Sequence, residues 1–210
     1  SRGNLFMPHV YRFEDANPSR PTVLAVGVFD GVHLGHQHLL RRLIARAEAI
    51  DCDPAVLTFH PHPDVVMGRA TDRYYLTTPE ERAALLDSLG IEWIVTHPFN
   101  NEVRQMRAAA FVDRLLTHLN MRELWIGPDF ALGYKREGNV DFLRAEGKRK
   151  NFTVEVVKLV TSDGNGNTIS SSRVRAALEA GDIEDVTNWL GRPYRLEGEV
   201  VRGDGRGRTI

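Results

Sequence analysis

Residues 22–36 read Thr-Val-Leu-Ala-Val-Gly-Val-Phe-Asp-Gly-Val-His-Leu-Gly-His, and no other stretch constrains the fold as tightly. The apolar run at 23–28 predicts a fully buried strand. Gly27 and Gly31 bracket a turn, after which Leu39, Leu40, Leu43, Ile44 and Ala47 recur at helical spacing. His33 and His36 therefore stand one helical turn apart where the strand passes into the helix. Free N–H groups and the positive end of the helix dipole face a ligand there. Gly35, between the two histidines, leaves room for close approach. A strand, a glycine turn and a helix start form a cradle suited to phosphate, and the two imidazoles add donors to it.

The rest of the chain repeats that alternation. Residues 55–60 form a second apolar strand, and Pro61-His62-Pro63 predicts an extended loop that bars a helix. Thr78, Pro79 and Glu81 mark a helix start, Leu85, Leu86 and Leu89 its core face, and Gly90 its end. A third strand at 93–96 and a helix carrying Phe111, Val112, Leu115, Leu116 and Leu119 follow. Strands at 124–126 and 152–160 and closing helices at 172–180 and 182–190 complete the pattern. Such alternation predicts an α/β fold, a parallel sheet with helices on both faces. Ligands in these sheets bind at the carboxyl ends of the strands, where His33, Phe59, His62, Asp129 and Phe130 all fall.

Composition narrows the function classes. A net charge of −1 gives no global basic field, which argues against a protein built mainly to bind nucleic acid. No apolar run approaches the ~20 residues of a membrane span. Cys52 is the only cysteine, so no internal disulfide forms and a reducing cytoplasm is expected. Its place in a polar turn marks it as incidental. Residues 1–6, ahead of Met7, are set aside, and 1–19 is read as an N-terminal extension and first segment.

Several motifs are absent. The glycine spacing of a dinucleotide fingerprint, the Gly-Lys-Ser/Thr of a P-loop and the Gly-x-Ser-x-Gly elbow do not occur. Several readings stay open. His33 and His36 are either helix-capping histidines or part of a nucleotide site, with Asp30 alongside. His33, His36, His60 and Asp30 are imaginable zinc ligands, though no cysteine pair or His-Glu-x-x-His spacing accompanies them. His38 reads as plain surface. Ile169-Ser170-Ser171-Ser172-Arg173-Val174-Arg175 caps a helix with serines but puts arginines in its first turn, where they oppose the dipole unless an anion is present. That is either an ordinary cap with solvated arginines or a mobile polyphosphate clamp. Asp129, after a proline, either starts a turn or holds magnesium or a nucleotide polar group.

Four motifs occur in order: Gly27-x-Phe29-Asp30-Gly31-x-His33-x-Gly35-His36, Thr58-Phe59-x-Pro61-His62-Pro63, Gly127-x-Asp129-Phe130 and Ile169-Ser170-Ser171-x-x-x-Arg175. Together they resemble the FMN adenylyltransferase (FAD synthetase) module of the prokaryotic bifunctional riboflavin kinase/FAD synthetase family. That module belongs to the His-x-Gly-His nucleotidyltransferase superfamily, with a Rossmann-like fold. The resemblance spans roughly 20–193 and implies AMP transfer from ATP to FMN with Mg2+, giving FAD and pyrophosphate. It implies catalytic roles for His33, His36 and Arg175. It also implies ATP contacts from Gly27, Phe29, Asp30, Gly35, Ser171 and Ser172, and FMN or metal contacts from Asp129, Phe130, Phe59 and His62, with Asp129 the metal contact. No obligate protein partner is implied.

Residues 194–210 are similar to the opening of the family's riboflavin kinase domain. They stop before its metal- and nucleotide-holding segment, so no kinase activity is expected of this chain. This tail is expected to be poorly ordered or docked as a lone edge. Departures from the family pattern are Ala131 and Leu132 where Arg-Phe is usual, leaving Lys135 or Arg136 to supply the basic contact. Ser172 stands for threonine, and His60 where an acid is frequent. Two other readings stand beside this one: a superfamily member with a different phosphate acceptor, and a non-catalytic flavin- or nucleotide-binding module.

Overall fold

A computed structural model describes residues 9–70, 75–158 and 166–196. Six parallel strands form one sheet: β1 (His9–Val10), β2 (Thr22–Val26), β3 (Asp53–His60), β4 (Trp93–Pro98), β5 (Met121–Ile126) and β6 (Thr153–Val156), in spatial order β1-β4-β3-β2-β5-β6. Leu24 is in register with Ala55 on one side and Leu124 on the other, so β2 is central. Successive strands step from β2 to β3 to β4. The chain then crosses back to place β5 on the other side of β2. Strand order thus reverses between β2 and β5, the place where open α/β sheets form a ligand crevice.

Strand periodicity divides the core. Leu24, Val26, Leu57, Leu124 and Ile126 point to one face, with Phe111, Leu115 and Leu143 of α5 (Ala108–Leu119) and α6 (Val140–Lys150). Val23, Ala25, Val56 and Trp125 point to the other, with Leu40, Leu43 and Leu86 of α1 (Leu34–Ala49) and α3 (Pro79–Ser88). A third, smaller cluster joins α7 (Ser171–Ala180) and α8 (Ile183–Leu190) through Val174, Val186 and Leu190. Fully burying a leucine contributes about 1.5–3 kcal/mol, so the two main faces fix the sheet. The capping box of α3 is formed in both directions between Thr78 and Glu81.

The structure departs from the sequence expectations in several places. The first strand ends at Val26, because residues 27–29 leave the sheet to build the turn. Pro61-His62-Pro63 does not bar a helix: Pro63 opens the short α2 (Pro63–Val66), since proline's missing N–H is harmless in a first turn. The sheet does not begin after residue 20, for β1 pairs with β4 and Phe13 is fully buried. The strand expected over 152–160 is formed at Thr153–Val156, and 159–160 lie outside the described residues, as does the tail from 197. The closing helices start at Ser171, one residue earlier than expected, and at Ile183, one later, and end at Ala180 and Leu190 as expected. Cys52 is not in open polar surroundings but 3% exposed within the α1 face of the core. Unforeseen were α4 (Asn101–Gln105) and α6.

Candidate active site

β2 delivers the chain to a tightly wound turn. Phe29 adopts left-handed backbone (φ 52°), and Asp30–Val32 form a 3-10 turn with Gly31 at φ 78°. A side chain on Gly31 would stand 2.8 Å from Leu76 Cδ1, so only glycine fits. His33 then caps α1, its Nδ1 accepting from the His36 N–H at 3.4 Å. That acceptor role puts the proton of the neutral ring on Nε2. The His33 and His36 rings stack with centroids 3.7 Å apart, and Phe29 sets its ring against His36 at 5.1 Å. A Cβ on Gly35 would lie 3.0 Å from His33 Cε1.

Burial holds the His33 pKa down to about 4, with Asp30 pulling weakly the other way. His36 is also held well below the ordinary histidine value, by burial first and then by His33 and Arg82. Both rings are therefore neutral near pH 7 and can donate one N–H each. His36 Nδ1 is buried without a protein hydrogen-bond partner among the described residues.

A second set of residues meets this turn from α7. Ser170, not Ser171 or Ser172, is the helix cap, accepting from the Arg173 N–H at 3.3 Å. Ser171 Oγ donates to the Asp30 carbonyl at 2.8 Å and so pins the turn. Arg175 Nη1 donates to Asp30 Oδ2 at 2.8 Å, and its Nη2 lies 3.5 Å from Ser172 Oγ. The unfavourable first-turn arginines are thus compensated locally: Arg175 by Asp30, and Arg173 by the Thr168 carbonyl and the Trp189 ring. Arg82 was not foreseen. It is fully buried, with Nη2 3.4 Å from Asp30 Oδ1 and Nη1 donating to Thr58 Oγ1 at 3.2 Å. A signal existed, because Arg82 stands on the same helical stripe as Leu86 and Leu89.

The crevice between β2 and β5 is a cavity of about 770 Å³. Gly27, Phe29 and His36 line one side, Phe59, Phe99 and Phe111 the floor, and Asp129, Phe130 and Lys135 the far side. The far wall is a loop in which Lys135 (φ 51°) and Arg136 (φ 60°) both take left-handed backbone. Arg136 Nη2 donates to the Asp129 carbonyl at 2.7 Å, and Glu137 Oε1 accepts from Arg107 Nε at 2.7 Å and from the Ala108 N–H at 2.8 Å. Both cations expected to stand in for the missing basic contact at Ala131 line this cavity.

The structure brings Gly27, Phe29, His36, Phe59, Asp129 and Phe130 together around the cavity. Asp30, His33, Ser171, Ser172 and Arg175 are not among its lining residues and gather behind the start of α1. Gly35 falls with the second group: a Cβ there would face the His33 ring and the Ile169 carbonyl. His62 is not among the cavity-lining residues. Its ring accepts from the Asp64 N–H at 3.0 Å to cap α2, its backbone N–H donates to Tyr75 Oη at 2.7 Å, and burial lowers its pKa, with the Asp30, Arg175 and Arg82 charges acting on it as well. Among the described residues, no three His, Cys, Asp or Glu side chains converge to hold a metal. Neither the imagined zinc set nor Asp129 is part of such a group.

A parallel sheet with a cavity at its switch point and a His-Leu-Gly-His turn opening the adjacent helix defines a Rossmann-like α/β protein. The FAD synthetase family model matches residues 15–173. The chain is 37% identical over 191 residues to the bifunctional riboflavin kinase/FMN adenylyltransferase of Listeria monocytogenes, covering 90% of this chain and 59% of that protein. It is 36% identical to the protein of the same name from Bacillus subtilis, covering 96% of this chain and 62% of the relative. A putative bifunctional riboflavin kinase/FMN adenylyltransferase of Geobacillus thermodenitrificans is 37% identical, with 82% of this chain and 90% of the relative covered. The chain belongs to the FAD synthetase family. It spans about three fifths of the length of the Listeria and Bacillus relatives. A crystal structure from Streptococcus pneumoniae, named a macrolide-efflux protein, superposes with a TM-score of 0.81 at 25% identity, covering 97% of this chain and 66% of that one. Among the described residues no helix is long and apolar enough to cross a membrane.

Proposed function

We infer that this chain is an FMN adenylyltransferase that moves AMP from ATP to FMN. The observation that carries the reading is the cavity itself. A polar end is formed by the neutral His36 and the start of α1, and an aromatic floor by Phe59, Phe99 and Phe111, within one volume of about 770 Å³. A planar apolar ring system bearing a phosphate matches that division, and cavities of roughly 300–1,000 Å³ suit small-molecule ligands.

In this reading an FMN phosphate oxygen attacks the α-phosphorus of ATP in line. A new P–O bond forms, the bond to the bridging oxygen of the β-phosphate breaks, and pyrophosphate leaves with that electron pair. No covalent enzyme intermediate is required, so the protein acts by positioning and by stabilising charge. His36 and the N–H groups at the start of α1 donate to the phosphate oxygens as charge develops. His33 orients the turn through its cap, with its Nε2–H left to donate. Ser172 and Arg175 hold the departing pyrophosphate, and Ser171 keeps the Asp30 turn in place. Phe59 and Phe130 face the flavin, with Lys135 and Arg136 beside its phosphate.

The residues present fit magnesium carried by the phosphates rather than by a protein cage. Asp129 is exposed at the cavity wall and can offer one oxygen, and magnesium commonly keeps waters and phosphate oxygens for the rest. When bound, the ion neutralises phosphate charge. Cys52, buried and outside any disulfide, fits the reducing cytoplasm.

The test is to incubate the protein with ATP, magnesium and FMN and to separate the products. FAD and pyrophosphate in equal amounts are expected. Consumption of neither substrate overturns the reading.

A further inference from the structure

Asp30 occupies the nucleotide motif, yet its carboxylate does not face the cavity. It is 1% exposed and accepts from the Leu76 N–H at 3.0 Å, the Thr77 N–H at 3.1 Å and the Thr77 hydroxyl at 3.0 Å. Two guanidiniums complete its surroundings, Arg82 at 3.4 Å and Arg175 at 2.8 Å. The two arginines differ in their freedom. Arg82 is fully buried and tied also to Thr58 and Thr77. The Arg175 side chain is 12% exposed and comes from the start of α7.

A buried charge is costly unless paired and hydrogen-bonded, so the two guanidiniums and the carboxylate hold one another in place. Of the two cations, only Arg175 is reachable by an incoming phosphate. Arg82 keeps Asp30 compensated whichever way the Arg175 guanidinium is shared.

We propose that Arg82 and Asp30 are positioning residues, which act through Arg175 to set a guanidinium for the nucleotide's polyphosphate. The inference rests on the reading of Arg175 as a pyrophosphate contact. Asp30 fixes the guanidinium through Nη1, while Nη2 turns toward Ser172. Arg82 fixes Asp30 from inside α3, so the helix that carries it belongs to the site although it touches no substrate. A purely structural pair would alter folding alone. A positioning pair alters phosphate handling and leaves flavin binding unchanged.

A double-mutant cycle on the whole chain tests this, using ATP affinity by calorimetry, FAD formation and FMN affinity by fluorescence. Asp30→Asn and Arg175→Ala are each expected to lower kcat/KM for ATP by about 10²-fold, the scale of a misplaced catalytic group. The double variant falls no further than Arg175→Ala alone. Arg82→Met falls with Asp30→Asn, Arg82→Lys recovers part of the loss, and FMN affinity holds throughout. Additive losses in the cycle, or wild-type ATP handling in Asp30→Asn or Arg82→Met, overturn the proposal. If Asp30→Asn fails to give a cooperative melting transition, the cycle is run with Asp30→Glu under the same criteria. If the wild type binds ATP but makes no FAD, the transferase reading falls. The cycle is then read from ATP affinity, where non-additivity supports the proposal and additivity overturns it.

Discussion

The turn at Asp30–Val32, which leads from the cavity wall at Phe29 into α1, and the loop at 127–138, which lines the cavity, are held in different ways. The turn is fastened by three side chains, two of them distant in sequence. Arg192 Nη2 donates to the Gly31 carbonyl at 2.7 Å, Gln37 Nε2 to the Val32 carbonyl at 3.0 Å and Ser171 to the Asp30 carbonyl. The loop is exposed at Asp129, Tyr134, Lys135 and Arg136, and two consecutive non-glycine residues sit in left-handed backbone. The first arrangement is preorganised, which suits charge that appears only in a transition state. The second holds local strain at a binding surface. On the proposed reading, chemistry falls to the fastened side and acceptor recognition to the strained loop.

The comparison is broken most directly at His36. His36→Ala is expected to slow FAD formation by roughly 10²–10³, equivalent to about 2.7–4 kcal/mol of lost transition-state stabilisation, with FMN affinity little changed. Wild-type turnover in that variant would move the chemistry away from the turn.

Stability against pH separates the two sides next. The folded pKa of His33 is held down to about 4 against an ordinary value of 6.5. Between those values the unfolded chain binds more protons, so this contribution is complete above about pH 6.5 and is lost as pH falls toward 4. His97, also held to about 4 by burial, acts in the same direction. Urea unfolding from pH 7.5 down to 4.5 should show a decline that His33→Asn flattens while preserving the cap. Lys135→Ala should leave the slope intact.

The loop has weaker points. Gly133 has φ 77°, and a Cβ there would lie 2.7 Å from Ala108 backbone atoms. Gly133→Ala should therefore lower stability by about 1–3 kcal/mol in chemical denaturation. The smallest effect is expected at Lys135. Lys135→Gly relieves a left-handed residue and should raise stability by about 1 kcal/mol, while KM for FMN rises several-fold at unchanged kcat. A fall in stability would show that the loop is unstrained.

The architecture was legible because it rests on local periodicity. Leu24 and Val23 alternate between the two faces of the core, and the α3 capping box needs only Thr78, Pro79 and Glu81. The His33–His36 turn was legible for the same reason. Four kinds of information were not. β1 is two residues long and has no period to detect. Pro63 both forbids a helix interior and favours a helix start, and His62 reveals its capping role only once α2 exists. Arg82 lies 52 residues from Asp30, so its partner is supplied by the packing of α3 and not by any neighbouring residue. The loop at 133–138 was hidden too, since nothing local marks Lys135 and Arg136 for left-handed backbone.

The fastening of the turn by Arg192 and Gln37 has a further consequence. Gln37 Nε2 also donates to the Leu190 carbonyl at 2.9 Å, so the end of α8 is stitched to the start of α1 across a small hydrophobic cluster that is separate from the main core. α7 and α8 thus pack on the start of α1 through their own cluster and not through the sheet, the arrangement expected of a cooperative substructure with its own, lower stability. Opening it would dismantle the arginine side of the site and leave the flavin side standing. Saturating nucleotide should then slow amide exchange in α7 and α8 more than in β2 or β5, by mass action on the closed form.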